Sequence, residues 1–151
     1  YDAVVLKEWV DFNGHMNDAA YAIPFSRAID ALMDQIGLDA EGRKATNHTL
    51  FTLAMQLRFH HEVKEGSPLK VSGQILEIDA KRLRLYQWLR HGETGTLLAT
   101  CEQLLASIDQ TGPKISPFPP EAGAALQKLA SDHSSMPTPD DAGQGIALKR
   151  K

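Results

Sequence analysis

The sequence has one cysteine, no long apolar run and no surplus of positive charge. Cys101 has no second cysteine to pair with, so an internal disulfide is excluded and the fold must rest on its core. No segment approaches the roughly 20 apolar residues that span a bilayer, which argues against membrane insertion. The start, YDAVVLKEW, has neither a basic leader nor an apolar signal core. We therefore expect a cytoplasmic protein.

The charge balance argues against a nucleic-acid partner. The chain has 16 Lys and Arg residues against 19 Asp and Glu residues, a net charge of -3. Binding to a phosphate backbone needs a dominant basic surface, which this composition does not supply. The expected partner is a small molecule, and 151 residues are enough for one domain with a sizeable core.

Apolar residues at helical spacing predict one long helix. Its apolar stripe recurs every three or four positions and comprises Phe25, Ala28, Ile29, Leu32, Met33 and Ile36. Asn17 or Asp18 is the predicted N-cap, and Gly37 is placed to end the helix. Pro24 removes one backbone hydrogen bond, so we expect a bend there or a start later than Asp18.

After a predicted loop at 38–47, the sequence period changes from 3.6 to 2. Apolar residues at alternating positions predict a long strand with one face on a core; they are Phe51, Leu53, Met55, Leu57 and Phe59. Further strands are predicted at 3–6, 69–78, 82–91 and 96–109. Short turn-like linkers separate the last three, as in antiparallel neighbours.

These elements predict an α+β fold in which a long antiparallel sheet wraps around one central helix. PEAGAALQKLASDH predicts a short C-terminal helix. We assign residues 1–131 to the domain and residues 132–151 to a tail that is flexible or packed by a partner subunit. The uncovered sheet edge favours dimerisation.

The chemically unusual segment lies just before the predicted helix. Asp11, Asn13, Gly14, His15 and Asn17 bring a carboxylate, an imidazole and two amides into seven residues. A helix start supplies unpaired N–H groups that can hold a developing oxyanion, and a nearby acid can attack a carbonyl or activate water. Alternatively, Asp11 and Asn13 only form an Asx turn, His15 is a half-buried histidine and Asn17 is only a cap.

These residues resemble the motif of hotdog thioesterases of the 4-hydroxybenzoyl-CoA thioesterase type. Members carry Asp-x-x-Gly or Asp-x-Asn-x-His-x-Asn, followed four residues later by Tyr. Here these positions run from Asp11 to Asn17 and then Tyr21. The strand–turn–strand HHEVKEGSPLKV is also similar, and the likeness covers roughly residues 3 to 110. More narrowly, EWVDFNGHMND, DAKRLRL and PTPDDAGQGI are similar to the betainyl-CoA thioesterases of bacterial carnitine breakdown.

The resemblance implies a hotdog fold that hydrolyses an acyl-CoA thioester. Asp11 would be the nucleophile or general base, with backbone N–H groups after the motif polarising the carbonyl and Gly14 permitting close backbone approach. No metal or other cofactor is implied, because coenzyme A is part of the substrate. The resemblance also implies a homodimer, or a tetramer of such dimers.

Several side chains are candidates for substrate binding. Near the motif they are Trp9, Phe12 and Tyr21. Lys81 and Arg82 are candidates for contact with the coenzyme A phosphates, and the alternative is that they are an ordinary solvated charge run. A cationic acyl group would be held by ring faces, and the candidate rings are Trp9, Phe12, Tyr86 and Trp88. Core or interface packing is the alternative for these rings. His60 and His61 are interpreted as ordinary strand-end residues.

Two other functions stay open. One is a hotdog enoyl-CoA hydratase, whose family pattern resembles Asp-x-Asn-Pro-x-His. In this chain Gly14 replaces the proline, and His15 falls four residues after Asp11 instead of five. A non-catalytic acyl-CoA binding module would keep the fold without turnover. The missing proline and the shifted histidine disfavour the hydratase, and the intact pair of Asp11 and Gly14 disfavours the binding module.

Overall fold

The computed structural model describes residues 1–148 and confirms the predicted α+β layout. In chain order the strands are β1 (Asp2–Val4), β2 (His48–Phe59), β3 (Pro68–Ile78), β4 (Arg82–His91), β5 (Leu97–Asp109) and β6 (Lys114–Ile115). The α-helices are α1 (Ala22–Gln35), α2 (Ala40–Thr46) and α3 (Pro120–His133), with 3-10 turns at Lys7–Trp9 and Asp18–Tyr21. Among the described helices, none has the length and apolarity needed to cross a membrane.

The sheet is antiparallel throughout and has the order β1-β3-β4-β5-β2, with the short β6 added to β5. It curls around α1, which buries Phe25, Ile29 and Met33 against it. This is the hotdog arrangement that the resemblance implies. The second helix layer is α3, which packs on β3 and buries Ala122 and Leu126.

The start of the central helix agrees with the expectation from Pro24. The 3-10 turn at Asp18–Tyr21 leads into α1, which begins at Ala22, so Pro24 lies in the first helical turn. A proline is tolerated there because first-turn N–H groups have no partner within the helix. The predicted apolar stripe is also confirmed, since Phe25, Ile29 and Met33 are buried against the sheet.

The prediction of a loop at 38–47 is wrong, because Ala40–Thr46 forms α2. The Asp39 side chain caps this helix by accepting from the Gly42 N–H at 2.8 Å, and Asn47 ends it in the left-handed conformation with φ 55°. The helix has seven residues and buries none of them. It therefore shows no apolar period from which it could have been predicted.

The prediction that β2 presents one apolar face to the core is also wrong. Phe51, Leu53, Met55 and Phe59 are 38–52 % exposed. The strand lies at the sheet edge, and a register shift between Thr52 and Ala54 breaks the alternation of its faces. An exposed, apolar edge strand of this length is a surface for pairing with another strand.

Candidate active site

The Asp11 to Asn17 segment forms a tight loop at the tip of a short hairpin. Val10 and Met16 face each other as an antiparallel bridge. Within the loop the Asp11 N–H donates to the His15 carbonyl at 3.0 Å, and the Gly14 N–H donates to the Asp11 carbonyl at 3.0 Å. Gly14 has φ +78°, a conformation that strains residues with a side chain. The glycine is thus explained by the turn itself.

The Asp11 side chain is half-buried and held by one of its two oxygens. Its Oδ1 accepts from the Asn13 N–H at 2.8 Å, which is the Asx turn that the sequence leaves as an alternative. Among residues 1–148, no donor contacts Oδ2. The turn therefore orients the carboxylate and leaves one oxygen available for chemistry.

The segment leads directly into the helix start. Asn17 is the N-cap, since its Oδ1 accepts from the Ala19 N–H at 3.0 Å, and its own N–H donates to the Trp9 carbonyl at 2.8 Å. Within the described chain the Asp18 N–H has no acceptor. Unpaired N–H groups at a helix start attract negative charge. The Asp11 loop and this positive end are therefore neighbours along the chain.

Beside the motif lies a cavity of about 230 Å³ that we call the motif pocket. Its lining residues come from the motif, from the 3-10 turn that follows the motif, and from the end of β2 and the residues after it: Met16, Asp18, Tyr21, Phe59, His60, His61 and Glu62. The Tyr21 and Phe59 rings lie 5.2 Å apart at 81°. Tyr21 is buried and its hydroxyl donates to the His61 carbonyl at 3.3 Å, whereas Phe59 is half-exposed. One ring is thus fixed and the other is open to a ligand.

The charges around the motif pocket are mainly negative. Asp18 and Glu62 line it, and in the described part of the chain no Lys or Arg does. His15 Nε2 lies 3.4 Å from Glu62 Oε2, which links the motif to the pocket. Burial raises the pKa of the Tyr21 hydroxyl, and the negative charge of Glu62 raises it further. The pocket therefore favours a neutral or cationic guest.

The other predicted binding residues are not brought together in the protomer. Trp9 packs against the core cluster below the motif, and Phe12 is 97 % exposed at the loop tip. Lys81 lies in the turn after β3 and Arg82 begins β4, where its side chain pairs with Asp79 at 2.7 Å. The 11 residues of β3 separate this turn from the motif end of the sheet, a span of roughly 35 Å at strand geometry.

Sequence reasoning missed the part of the motif pocket that comes from the end of β2. It placed Phe59 on a core face and interpreted His60 and His61 as strand-end residues facing opposite ways. In the structure β2 ends at Phe59, and the N–H groups of both histidines donate to the Leu98 carbonyl, at 2.9 and 3.2 Å. Both residues line the motif pocket. The letters HHE open the stretch HHEVKEGSPLKV that is similar to the family, but the place of these side chains in the fold is a tertiary property.

A second, larger cavity lies on the outer face of the sheet, away from α1. It has a volume of about 520 Å³ and is enclosed by β2, β4 and the tail, and we call it the tail pocket. Tyr86 and Trp88 line it with ring centroids 5.0 Å apart. The Tyr86 hydroxyl donates to Asp141, and Arg58 Nε lies 3.5 Å from the same carboxylate. The described part of the tail is thus held on its own sheet.

Comparison with known proteins identifies a family and several relatives that this chain resembles. Residues 5–126 match the model of the thioesterase-like superfamily. The betainyl-CoA thioesterase of Pseudomonas aeruginosa is 45% identical over 148 residues, which cover 98% of this chain and 93% of that protein. An L-carnitine dehydrogenase/betainyl-CoA thioesterase of Agrobacterium fabrum is 38% identical over 150 residues, and the match spans 99% of this chain but only 30% of that longer protein.

A solved structure agrees with these matches. A Staphylococcus aureus protein in complex with CoA superimposes with a TM-score of 0.91 at 30% identity, over 99% of this chain and 94% of that one. The similarity therefore includes the tail region and is not limited to the sheet and its helix.

Proposed function

We propose that betainyl-CoA is the substrate of this chain, which belongs to the thioesterase-like superfamily. The chain is an acyl-CoA thioesterase, and the choice of the betainyl group as its acyl group is the step that we propose. The observation that carries this step is the 45% identity to a betainyl-CoA thioesterase over nearly the full length of both chains. The negative, ring-lined motif pocket supports it, because a betainyl group is cationic.

Asp11 is the residue to which we assign the chemistry. Its unpaired Oδ2 can act in two ways. As a nucleophile it bonds to the thioester carbonyl carbon, the C–S bond breaks, the coenzyme A thiolate leaves and takes up a proton, and water then hydrolyses the mixed anhydride. As a general base it takes a proton from water, the resulting hydroxide displaces the thiolate as the C–S bond breaks, and the thiolate takes up the proton from Asp11. Both routes release the free acid, coenzyme A and the intact carboxylate.

The start of the central helix supplies the complementary charge in this proposal. The Asp18 N–H is unpaired in the described chain and leads into an 18-residue helical segment, the 3-10 turn at Asp18–Tyr21 followed by Ala22–Gln35. A thioester oxygen that becomes negative during attack gains from such a donor and from the helix dipole. Asn17 fixes the helix start by capping, so its role in this scheme is to position that donor.

We also propose that the working unit is at least a dimer formed along β2. This strand lies at the sheet edge and exposes Phe51, Leu53 and Met55 near its middle. A long apolar edge left in water invites pairing with a second copy. The motif pocket lies at the end of the same strand, so a partner on β2 would cover its open side.

A panel of acyl-CoAs with a free-thiol readout tests the proposal. Betainyl-CoA, tert-butylacetyl-CoA, palmitoyl-CoA, a hydroxybenzoyl-CoA and an enoyl-CoA are compared by kcat/KM. We expect the fastest thiol release from betainyl-CoA. Faster turnover of palmitoyl-CoA or the hydroxybenzoyl-CoA would contradict the substrate. Hydration of the enoyl-CoA without thiol release would indicate the hydratase, and binding without turnover would indicate the binding module.

A further inference from the structure

We propose that Tyr21, Phe59 and Glu62 bind the trimethylammonium end of the acyl group. This inference rests on the proposed betainyl-CoA activity and names the side chains that select the acyl group. It assigns a role to three residues that meet only in the folded chain: Tyr21 precedes α1, Phe59 ends β2 and Glu62 lies in the following loop.

The size of the substrate places the cation close to the reacting carbonyl. In a betainyl thioester one methylene separates the carbonyl carbon from the nitrogen, a distance of about 2.5 Å at ordinary bond lengths and angles. The ammonium site must therefore adjoin the motif. The motif pocket meets this requirement, since Met16 and Asp18 line it and His15 contacts Glu62. The tail pocket has no motif residue in its lining.

The geometry of the ring pair suits a compact cation. Tyr21 and Phe59 meet edge to face, at 81° and 5.2 Å, and so form a perpendicular corner in the lining of the motif pocket. A quaternary ammonium in this corner meets the half-exposed Phe59 ring and the part of Tyr21 that lines the pocket, and each well-placed ring attracts it through its quadrupole. The hydrogen bond from Tyr21 to the His61 carbonyl holds one wall in place before the substrate arrives.

Charge distinguishes this corner from an ordinary apolar pocket. Glu62 and Asp18 contribute carboxylates, and the described chain places no Lys or Arg in the lining. A trimethylammonium group cannot donate hydrogen bonds, so ring faces and nearby negative charge are the attractions available to it. A neutral tert-butyl group of the same shape gains only from contact area. The corner therefore selects for charge at constant shape.

The test measures charge preference at constant shape. The ratio of kcat/KM for betainyl-CoA to that for tert-butylacetyl-CoA is compared in wild type, Phe59→Leu and Glu62→Gln, with Trp88→Leu in the tail pocket as the matched ring control. We expect a wild-type ratio above about 10, a fall of about fivefold in Phe59→Leu and about threefold in Glu62→Gln. Trp88→Leu should keep the wild-type ratio. An unchanged ratio in both motif-pocket variants, or an equal loss for both substrates, would overturn the inference.

A binding measurement keeps the inference testable if neither thioester is hydrolysed, which would contradict the proposed function. Betaine amide and neutral tert-butylacetamide are titrated into the protein and followed by NMR. We expect tighter binding of the cation by wild type and a loss of that difference in Phe59→Leu. Equal binding of the two amides by wild type would overturn the cation site whether or not the enzyme turns over.

Discussion

The protein has two aromatic pairs with nearly the same spacing and different surroundings. Tyr21 and Phe59 lie 5.2 Å apart beside the motif, and Tyr86 and Trp88 lie 5.0 Å apart on the outer face of the sheet. The first pair borders two carboxylates and has one half-exposed ring. At the second pair the tail supplies Asp141, which the Tyr86 hydroxyl and Arg58 already contact.

This difference in neighbouring charges is the basis on which we assign the cation site to the first pair and not to the second. The carboxylate at the second pair already has a hydroxyl donor and a guanidinium, so a cationic guest would compete with Arg58. The carboxylate of Glu62 has only His15 within ion-pair distance among the described residues and is 77% exposed. We therefore interpret the motif pocket as the functional region and the tail pocket as the one that holds the C-terminal segment. Four variants, taken from the largest expected effect to the smallest, test this division.

Asp11→Asn should cause the largest loss, because it replaces the carboxylate to which we assign the chemistry with an amide. The amide oxygen can still accept from the Asn13 N–H, so the loop is retained. We expect kcat/KM to fall by at least about 100-fold with an unchanged unfolding temperature. Mass spectrometry excludes deamidation back to aspartate. A variant that remains active after this check would contradict the assignment of Asp11.

Met55→Lys should weaken the assembly and the activity together. It places a charge near the middle of the exposed edge strand, where a partner strand would bury it. We expect sedimentation to show at least about tenfold weaker self-association and kcat/KM to fall in parallel. Met136→Lys is the matched control, because Met136 is similarly exposed but lies after α3. A wild-type monomer at micromolar concentration, or a fully active monomeric variant, would contradict the dimer.

Asp141→Asn should affect stability and leave catalysis nearly unchanged. It removes the charge that holds the tail near Arg58 while keeping the side-chain size. We expect a loss of about 1 kcal/mol in the free energy of unfolding and a kcat/KM within about twofold of wild type. Asp140→Asn, at the neighbouring exposed position, is the control and should change neither. A large activity loss in Asp141→Asn would assign the tail pocket a direct part in substrate binding.

The smallest effect concerns the pH dependence of the tail contact. Burial and the bond to Asp141 raise the pKa of Tyr86 from 10.0 to about 12. The folded state therefore keeps the proton that the unfolded state loses above pH 10. This contribution to stability is complete below pH 10 and is lost as the pH rises toward 12. Urea midpoints measured across this range should fall less in Tyr86→Phe than in wild type; equal slopes would contradict the contact.

The sequence predicted most of the secondary structure because its elements carry clear periods. The stripe of α1 recurs every three or four residues, and β3, β4 and β5 were placed within a residue or so of their observed ends. The seven-residue α2 was missed, since it buries no residue and shows no stripe. The core face expected for β2 was wrong because exposure at a sheet edge depends on strand order, which the alternation of residues does not encode.

By itself, the sequence determined the Asp11 loop, because an Asx turn, a left-handed glycine and an N-cap are local interactions within the seven residues from Asp11 to Asn17. The family resemblance also depended on these residues and their spacing. Only the tertiary structure decided which rings and carboxylates face the loop. Phe59 and Glu62 are about 40 residues from Tyr21 along the chain, and the curl of the sheet around α1 brings the three to one pocket. Tyr86 and Trp88 share the outer face of the sheet because side chains alternate along β4, and the described part of the tail lies beside them.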